Sequence, residues 1–306
     1  MPLHPQAAEA IRVAGDLPTG LVPSQLRRVY DAQRSKLLPA APEVELTRDL
    51  LIPGAHGPIP ARYYRAARNG KACPLLVYFH GGGWVLGSLQ LYDTVCRRLA
   101  VKANCAVMSV AYRLAPETQF PGPVLDAYAA TRWCASNSAH LGVDPTRVVV
   151  GGDSAGGNFA AVVAQMSRDS GDFPVALQIL VYPVTDVSRD YPSYQRNASG
   201  YMLTAAALHW LIDQYVPVAS DRQDVRASPM LNANLTGLPR ALIIAAEFDP
   251  LVDDNEAYAQ RLTAAGVPVR YEFFAGMIHP FFTLGGLIDD AKRAEDLVAT
   301  EILALA

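Results

Sequence analysis

Two glycine-rich strings hold the residues that could do chemistry in this chain. One is His80-Gly81-Gly82-Gly83-Trp84 and the other is Gly152-Asp153-Ser154-Ala155-Gly156-Gly157. The second sets a serine in a G-x-S-x-G pattern, the mark of a sharp strand-to-helix turn that lifts a hydroxyl clear of a sheet. Glycines two before and two after the serine leave space where side chains would collide with the neighbouring strand and helix. Ser154 would then stand at a helix N-terminus, whose amides favour developing negative charge. The chemistry expected is attack of Ser154 on an acyl carbon, with the tetrahedral oxyanion met by preplaced donors. Backbone N–H groups can converge on that oxyanion only where side chains are absent, which assigns Gly81, Gly82 and Ala155 as the donors. At a glycine frequency of ~7%, a chance G-x-S-x-G occurs in about one chain of this length in ten. A chance His-Gly-Gly-Gly is rarer by well over an order of magnitude, so the pair is hard to assign to accident.

A base is needed to take the serine proton. If it follows the nucleophile, His209 and His279 are the candidates. His209 lies beside Trp210 in an apolar helical stretch, a setting for a packed or surface histidine. His279 follows the last strand candidate, in a loop where the strands end, and is the expected base. The carboxylate that orients it has three nearby candidates: Glu247, Asp249 and Asp253. Asp249 sits in the loop after an apolar run, with Pro250 stiffening the turn. Asp253 suits a helix cap, and Glu247 a supporting partner. Asp153 is expected to support the site by hydrogen bonding rather than to catalyse, and His80 to shape its own loop. Trp84, Asp153, Tyr201, Met202, Leu208 and Phe281 are assigned to substrate binding, with Phe282 and Trp210 as further candidates for the walls.

These groups need a scaffold, and the apolar runs supply one. Strands are expected at Pro74 to Phe79, Cys105 to Val110, Arg147 to Val150, Leu177 to Val181, Ala241 to Ala245 and Val267 to Phe273. Nearly continuous apolar strands imply a parallel sheet covered on both faces. Helical spacing alternates with them: Leu125, Ala129 and Trp133 after Gly122-Pro123; Tyr258 and Leu262, capped by Asp253 or Asp254 and ended by Gly266; and Ala294, Val298 and Ile302. This alternation predicts an α/β protein with an open, doubly wound sheet. Residues 1 to about 45, read as short helices around Pro18, Pro23 and Pro39, fall outside it. So do residues 185 to 220, where Thr204 caps a helix bearing Leu208, Leu211, Ile212 and Tyr215. Both would cover the C-terminal ends of the strands, where open sheets place their ligands.

Composition narrows the classes. Of 306 residues, 51% are hydrophobic and 18% charged, with a net charge of -3, which describes an ordered globular protein. The absence of a basic run argues against nucleic acid as a partner. Cys73, Cys96, Cys105 and Cys134 form no C-x-x-C pair, and no H-E-x-x-H occurs, so no metal site is expected. No G-x-G-x-x-G follows a strand and no Gly-Lys-Ser or Gly-Lys-Thr exists, so no nucleotide cofactor is expected either. The N-terminal twenty residues lack an apolar run of signal length, and no stretch reaches the ~20 apolar residues of a membrane span. The expectation is a soluble, cytoplasmic protein. On that reading the glycosylation patterns at Asn197-Ala198-Ser199 and Asn234-Leu235-Thr236 carry no meaning.

The order of motifs resembles the hormone-sensitive-lipase-like (family IV) bacterial esterases of the α/β-hydrolase fold. The resemblance covers residues 45 to 306. It rests on the two glycine strings, on Tyr112-Arg113-Leu114-Ala115-Pro116-Glu117, on Asp249-Pro250-Leu251 and on Gly276-Met277-Ile278-His279-Pro280-Phe281. It implies a mostly parallel eight-stranded sheet with a helical cap built from 1–45 and 185–220, and a catalytic domain from 46–184 and 221–306. It implies a triad of Ser154, Asp249 and His279, no cofactor, and carboxylesterase activity on short- to medium-chain acyl esters. It also suggests a homodimer through the edge strand Val267 to Phe273. Family members commonly continue with His-Pro after the tyrosine motif; here Thr118-Gln119 intervenes before Phe120-Pro121, outside the triad. The same triad would serve an amidase, deacetylase or arylformamidase. A binding receptor on this fold typically lacks a triad member, and this chain keeps all three.

Overall fold

The computed structural model describes residues 2–15, 20–66 and 72–305. Eight strands form one sheet: β1 (Leu46–Ile52), β2 (Ile59–Arg65), β3 (Cys73–Phe79), β4 (Ala106–Val110), β5 (Val143–Asp153), β6 (Leu177–Val181), β7 (Arg240–Phe248) and β8 (Val269–Ile278). Their spatial order is β1-β2-β4-β3-β5-β6-β7-β8. The pairs β1/β2 and β2/β4 are antiparallel and the rest parallel. All six strands expected from apolar runs are present. Two strands that no apolar run announces, β1 and β2, form the antiparallel edge. β1 alternates half-buried and exposed positions along most of its length, the signature of a strand with one wet face.

Helices α1 (Pro5–Ala14) and α2 (Pro23–Arg34) precede the sheet. Pro23 opens α2, whereas Pro18 lies outside the described residues. Then come α3 (Asp93–Ala103), α4 (Gly122–Ser136), α5 (Ser138–Leu141), α6 (Ala155–Ser170), α7 (Pro192–Arg196), α8 (Ala205–Tyr215), α9 (Val252–Ala264) and α10 (Asp289–Leu303). In α8 the Thr204 hydroxyl accepts from the Ala207 N–H, and Leu208, Leu211, Ile212 and Tyr215 are buried, as expected. Ala294, Val298 and Ile302 line the buried face of α10. Helix α4 is rotated from its expected orientation. Val124, Ala127, Ala130 and Cys134 are buried, while Leu125, Ala129 and Trp133 lie on the half-buried flank. Neither Asp253 nor Asp254 caps α9; both sit in its first turn, where Asp253 pairs with Arg196 and Asp254 takes hydrogen bonds from Thr185.

The segments outside the alternation pack on the loops that follow β3 and β4. Arg27 of α2 donates to the carbonyls of Val85 and Ala115 and pairs with Glu117. From α8, Tyr215 stacks on Trp84 at 4.7 Å between centroids. Leu211 fills the space beside Gly83 so closely that a Cβ there would lie 2.4 Å from its Cδ1.

Candidate active site

Strand β5 runs into α6 through Ser154, whose φ of 56° and ψ of −119° are the strained geometry of the turn. The glycines around it are explained by what surrounds them. A Cβ on Gly152 would lie 2.3 Å from the Phe79 carbonyl oxygen, and one on Gly156 would lie 1.9 Å from the same atom. Both contacts are with backbone, so neither can give way. The Ser154 N–H is anchored on the Val181 carbonyl at 2.8 Å.

Three side chains from three loops meet here. His279 Nε2 is 2.9 Å from Ser154 Oγ, and His279 Nδ1 is 2.7 Å from Asp249 Oδ2. Asp249 can only accept, so the proton on this ring belongs on Nδ1, leaving Nε2 to receive the serine hydrogen. Asp249 is wholly buried, and its Oδ1 accepts from the Leu251 N–H at 2.9 Å. Tyr182 lies against the imidazole with ring centroids 4.5 Å apart. The three candidate acids thus separate: Asp253 is taken by Arg196, and Glu247 accepts from the Gly276 N–H at 2.6 Å. His209 is half exposed and faces Asp190 at 2.8 Å, away from the serine.

The donors expected for the oxyanion need one correction. The Gly81 N–H points at Asp153 Oδ1 (3.0 Å) and the Tyr92 hydroxyl (3.1 Å), so it is not free. Among the described residues no hydrogen-bond acceptor engages the N–H groups of Gly82, Gly83 or Ala155. Gly82 and Gly83 adopt φ of 117° and 59°, in the region that favours glycine. Asp153 is the hub that holds this loop. Its Oδ1 also accepts from Tyr78 at 2.8 Å, and its Oδ2 from Tyr92 at 2.8 Å. Burial raises the Asp153 carboxyl above the ordinary aspartate range, while the two tyrosine hydroxyls pull it back. His80 does shape the loop. Burial pushes its imidazole down to about 4, which keeps it neutral, and the ring stacks on Tyr112 at 4.4 Å. Its Nδ1 faces the Gly81 carbonyl at 2.8 Å.

The expected substrate walls fare less well. Trp84, Asp153, Leu208 and Phe281 each expose 2% or less of their surface, so none presents a face to a ligand in this structure. Trp84 is spent on Tyr215, and Phe281 packs between Tyr182 and Phe274. Phe282 is buried in the core, and Trp210 points outward at 38% exposure. Tyr201 rests on Phe248, and Met202 sits against Arg34. Beside the site is a narrow cavity of about 10 Å³ lined by Tyr30, Arg34, Leu38, Leu91, Tyr92 and Thr283. A wider cavity of about 250 Å³ lies elsewhere, where β1 and β2 meet α5. A residue with no warning in the sequence is Asn197. Its side chain donates to the Glu247 and Asp249 carbonyls at 3.0 and 2.9 Å and is buried, so its glycosylation pattern is structural coincidence.

Residues 76–283 match the sequence pattern of a family with the alpha/beta hydrolase fold. This chain belongs to that family. The hydrolase is 46% identical over 248 residues to the carboxylic ester hydrolase LipN of Mycobacterium tuberculosis, covering 78% of this chain and 65% of LipN. It is 39% identical over 294 residues to the ethyl acetate hydrolase of Pseudomonas putida, covering 94% and 92% of the two chains. Its fold superposes on the hyperthermophilic esterase of Pyrobaculum calidifontis with a TM-score of 0.93 at 39% identity, covering 100% and 99%.

Proposed function

We propose that this protein is a serine carboxylesterase acting on short- to medium-chain acyl esters through an acyl-enzyme intermediate. The observation that carries the reading is the unbroken hydrogen-bonded line from Ser154 through His279 to Asp249. In the first step Ser154 Oγ attacks the ester carbonyl carbon as its proton passes to His279 Nε2. Asp249 holds the imidazole in its tautomer and stabilises the imidazolium. The oxyanion is met by the free N–H groups of Gly82, Gly83 and Ala155, each worth ~3 kcal/mol of barrier on the usual scale. His279 then protonates the leaving alkoxide. Water enters and gives a proton to His279 as its oxygen attacks the acyl carbon. His279 then returns that proton to Ser154 Oγ as the acyl–oxygen bond breaks and the acid leaves. The chemistry calls on no cofactor.

The ethyl acetate hydrolase relative and the narrow cavity both support short acyl chains. Residues 1–45 and 185–220 act as the cap, a role supported by the Arg27 and Tyr215 contacts to the loop after β3. Among the described residues no helix is long and apolar enough to cross a membrane. The four free cysteines support a reducing, cytoplasmic setting. Phe273, 45% exposed on the edge strand β8, supports a homodimer through that edge. The test is hydrolysis of a p-nitrophenyl acyl series by the wild type and Ser154→Ala. Activity on acetate and butyrate esters that vanishes in the variant is expected; a variant retaining near-wild-type activity overturns the scheme.

A further inference from the structure

We propose that Arg34 makes this site selective for esters that carry a carboxylate a few bonds from the scissile carbonyl; the proposal rests on the esterase reading above. Arg34 is the last residue of α2 and lines the narrow cavity beside the site. Two other walls of that cavity adjoin the supports of the reacting groups. Tyr92 donates to Asp153, the neighbour of Ser154. Thr283 hangs from the turn that follows His279, its hydroxyl donating to the Pro280 carbonyl. Arg34 therefore stands on the wall of a cavity whose other residues reach the supports of Ser154 and His279.

The state of its charge points to the ligand. The guanidinium lies over the Tyr30 ring, 5.1 Å from the centroid, and one Nη meets the Met202 sulfur. Both are neutral, soft partners. Among the described residues Arg34 forms no ion pair. Asp31, one turn earlier on α2, instead accepts from the Ser88 hydroxyl at 2.8 Å. Arg27 on the same helix shows the contrast, being neutralised by Glu117. A half-buried guanidinium held by a thioether and a ring exchanges them readily for a carboxylate, which offers two parallel charged hydrogen bonds. The cavity at present has room for about one water, the kind of occupant that a ligand oxygen replaces. Leu38 and Leu91 line the same space with carbon, so an incoming chain would be apolar up to its charged end.

The test compares matched substrates within each protein, so that any loss of folded enzyme cancels. Mono-p-nitrophenyl succinate carries the carboxylate on the acyl side, and its methyl ester is the neutral match. The acetyl ester of p-hydroxybenzoate carries it on the alcohol side, with its methyl ester as control. The wild type is expected to favour the charged member of one pair in kcat/KM, chiefly through KM. That preference should fall at least about tenfold in Arg34→Gln, the scale of one charge-assisted pair, and be partly kept in Arg34→Lys. It should also weaken as salt is raised. If neither pair is discriminated, or Arg34→Gln leaves both ratios unchanged, the assignment is overturned. If no member of either pair, charged or neutral, is cleaved, the esterase reading falls and this proposal with it.

Discussion

Replacing Asp254 by asparagine should flatten the pH dependence of stability. Asp254 is wholly buried in the first turn of α9 and clasps Thr185, taking both its N–H (2.8 Å) and its hydroxyl. Burial pushes this carboxyl up to about 7 from the ordinary 3.8; the Thr185 hydrogen bonds offset only part of the rise. Between those two values the folded protein holds a proton that the unfolded chain has released. Stability from this group is thus full below the unfolded value and is lost as pH rises through the folded one. At ~1.4 kcal/mol per pH unit the whole gap is worth ~4 kcal/mol, of which ~3 kcal/mol falls between pH 5 and 8. For a chain of this size that is a shift of ~4 °C in Tm. The amide copies the protonated acid: its oxygen accepts the Thr185 N–H and its NH2 donates to the Thr185 oxygen. Urea titrations of wild type and Asp254→Asn at pH 5 and pH 8 provide the assay, since every other titrating group is common to the two. The stability gap between them should move by ~3 kcal/mol in favour of the variant at the higher pH. A gap that is the same at both pH values, or one that moves against the variant, refutes the reasoning.

Other substitutions probe the site and its support. Asp249→Asn should lower kcat by roughly 10³–10⁴ by disturbing the His279 tautomer, and a loss under about tenfold in steady-state assays would take Asp249 out of the line. Tyr92→Phe removes a donor to Asp153 and an acceptor for Gly81; a fall in kcat of about tenfold or more with little change in KM is expected if this network holds the oxyanion loop. Gly156→Ala drives a methyl into the backbone of Phe79, so a loss above ~4 kcal/mol in denaturant titration is expected, and a variant within ~1 kcal/mol of wild type would contradict the close seating of α6.

The motif residues are legible in the sequence because their constraints are local. Gly152, Ser154 and Gly156 must be what they are for a turn whose clashes are all with nearby backbone. The strands of the parallel core are equally plain, since burial on both faces writes an apolar run. β1 and β2 escape because Arg48, Asp49 and Arg62 interrupt their apolar positions, and β1 has one wet face besides. The separation of Asp249 from Glu247 and Asp253 depends on Arg196 and Gly276, residues distant in sequence from the loop they influence. The Gly81 assignment fails for the same reason. Whether a backbone amide is free depends on what Asp153 and Tyr92 bring to it. The aromatic walls fail because Trp84 and Phe281 look alike in sequence whether they face a ligand or another ring.

The positions of the three reacting groups along the chain also set an order in time. Ser154 and its strained turn are made before the residues that draw off its proton. A ribosome must add another 125 residues, through β7 and β8, before His279 exists. Until then the half-made protein carries a serine with no base beside it. Hydrolytic competence thus arrives as one late event, when β8 joins the sheet and brings His279 back to the middle strand.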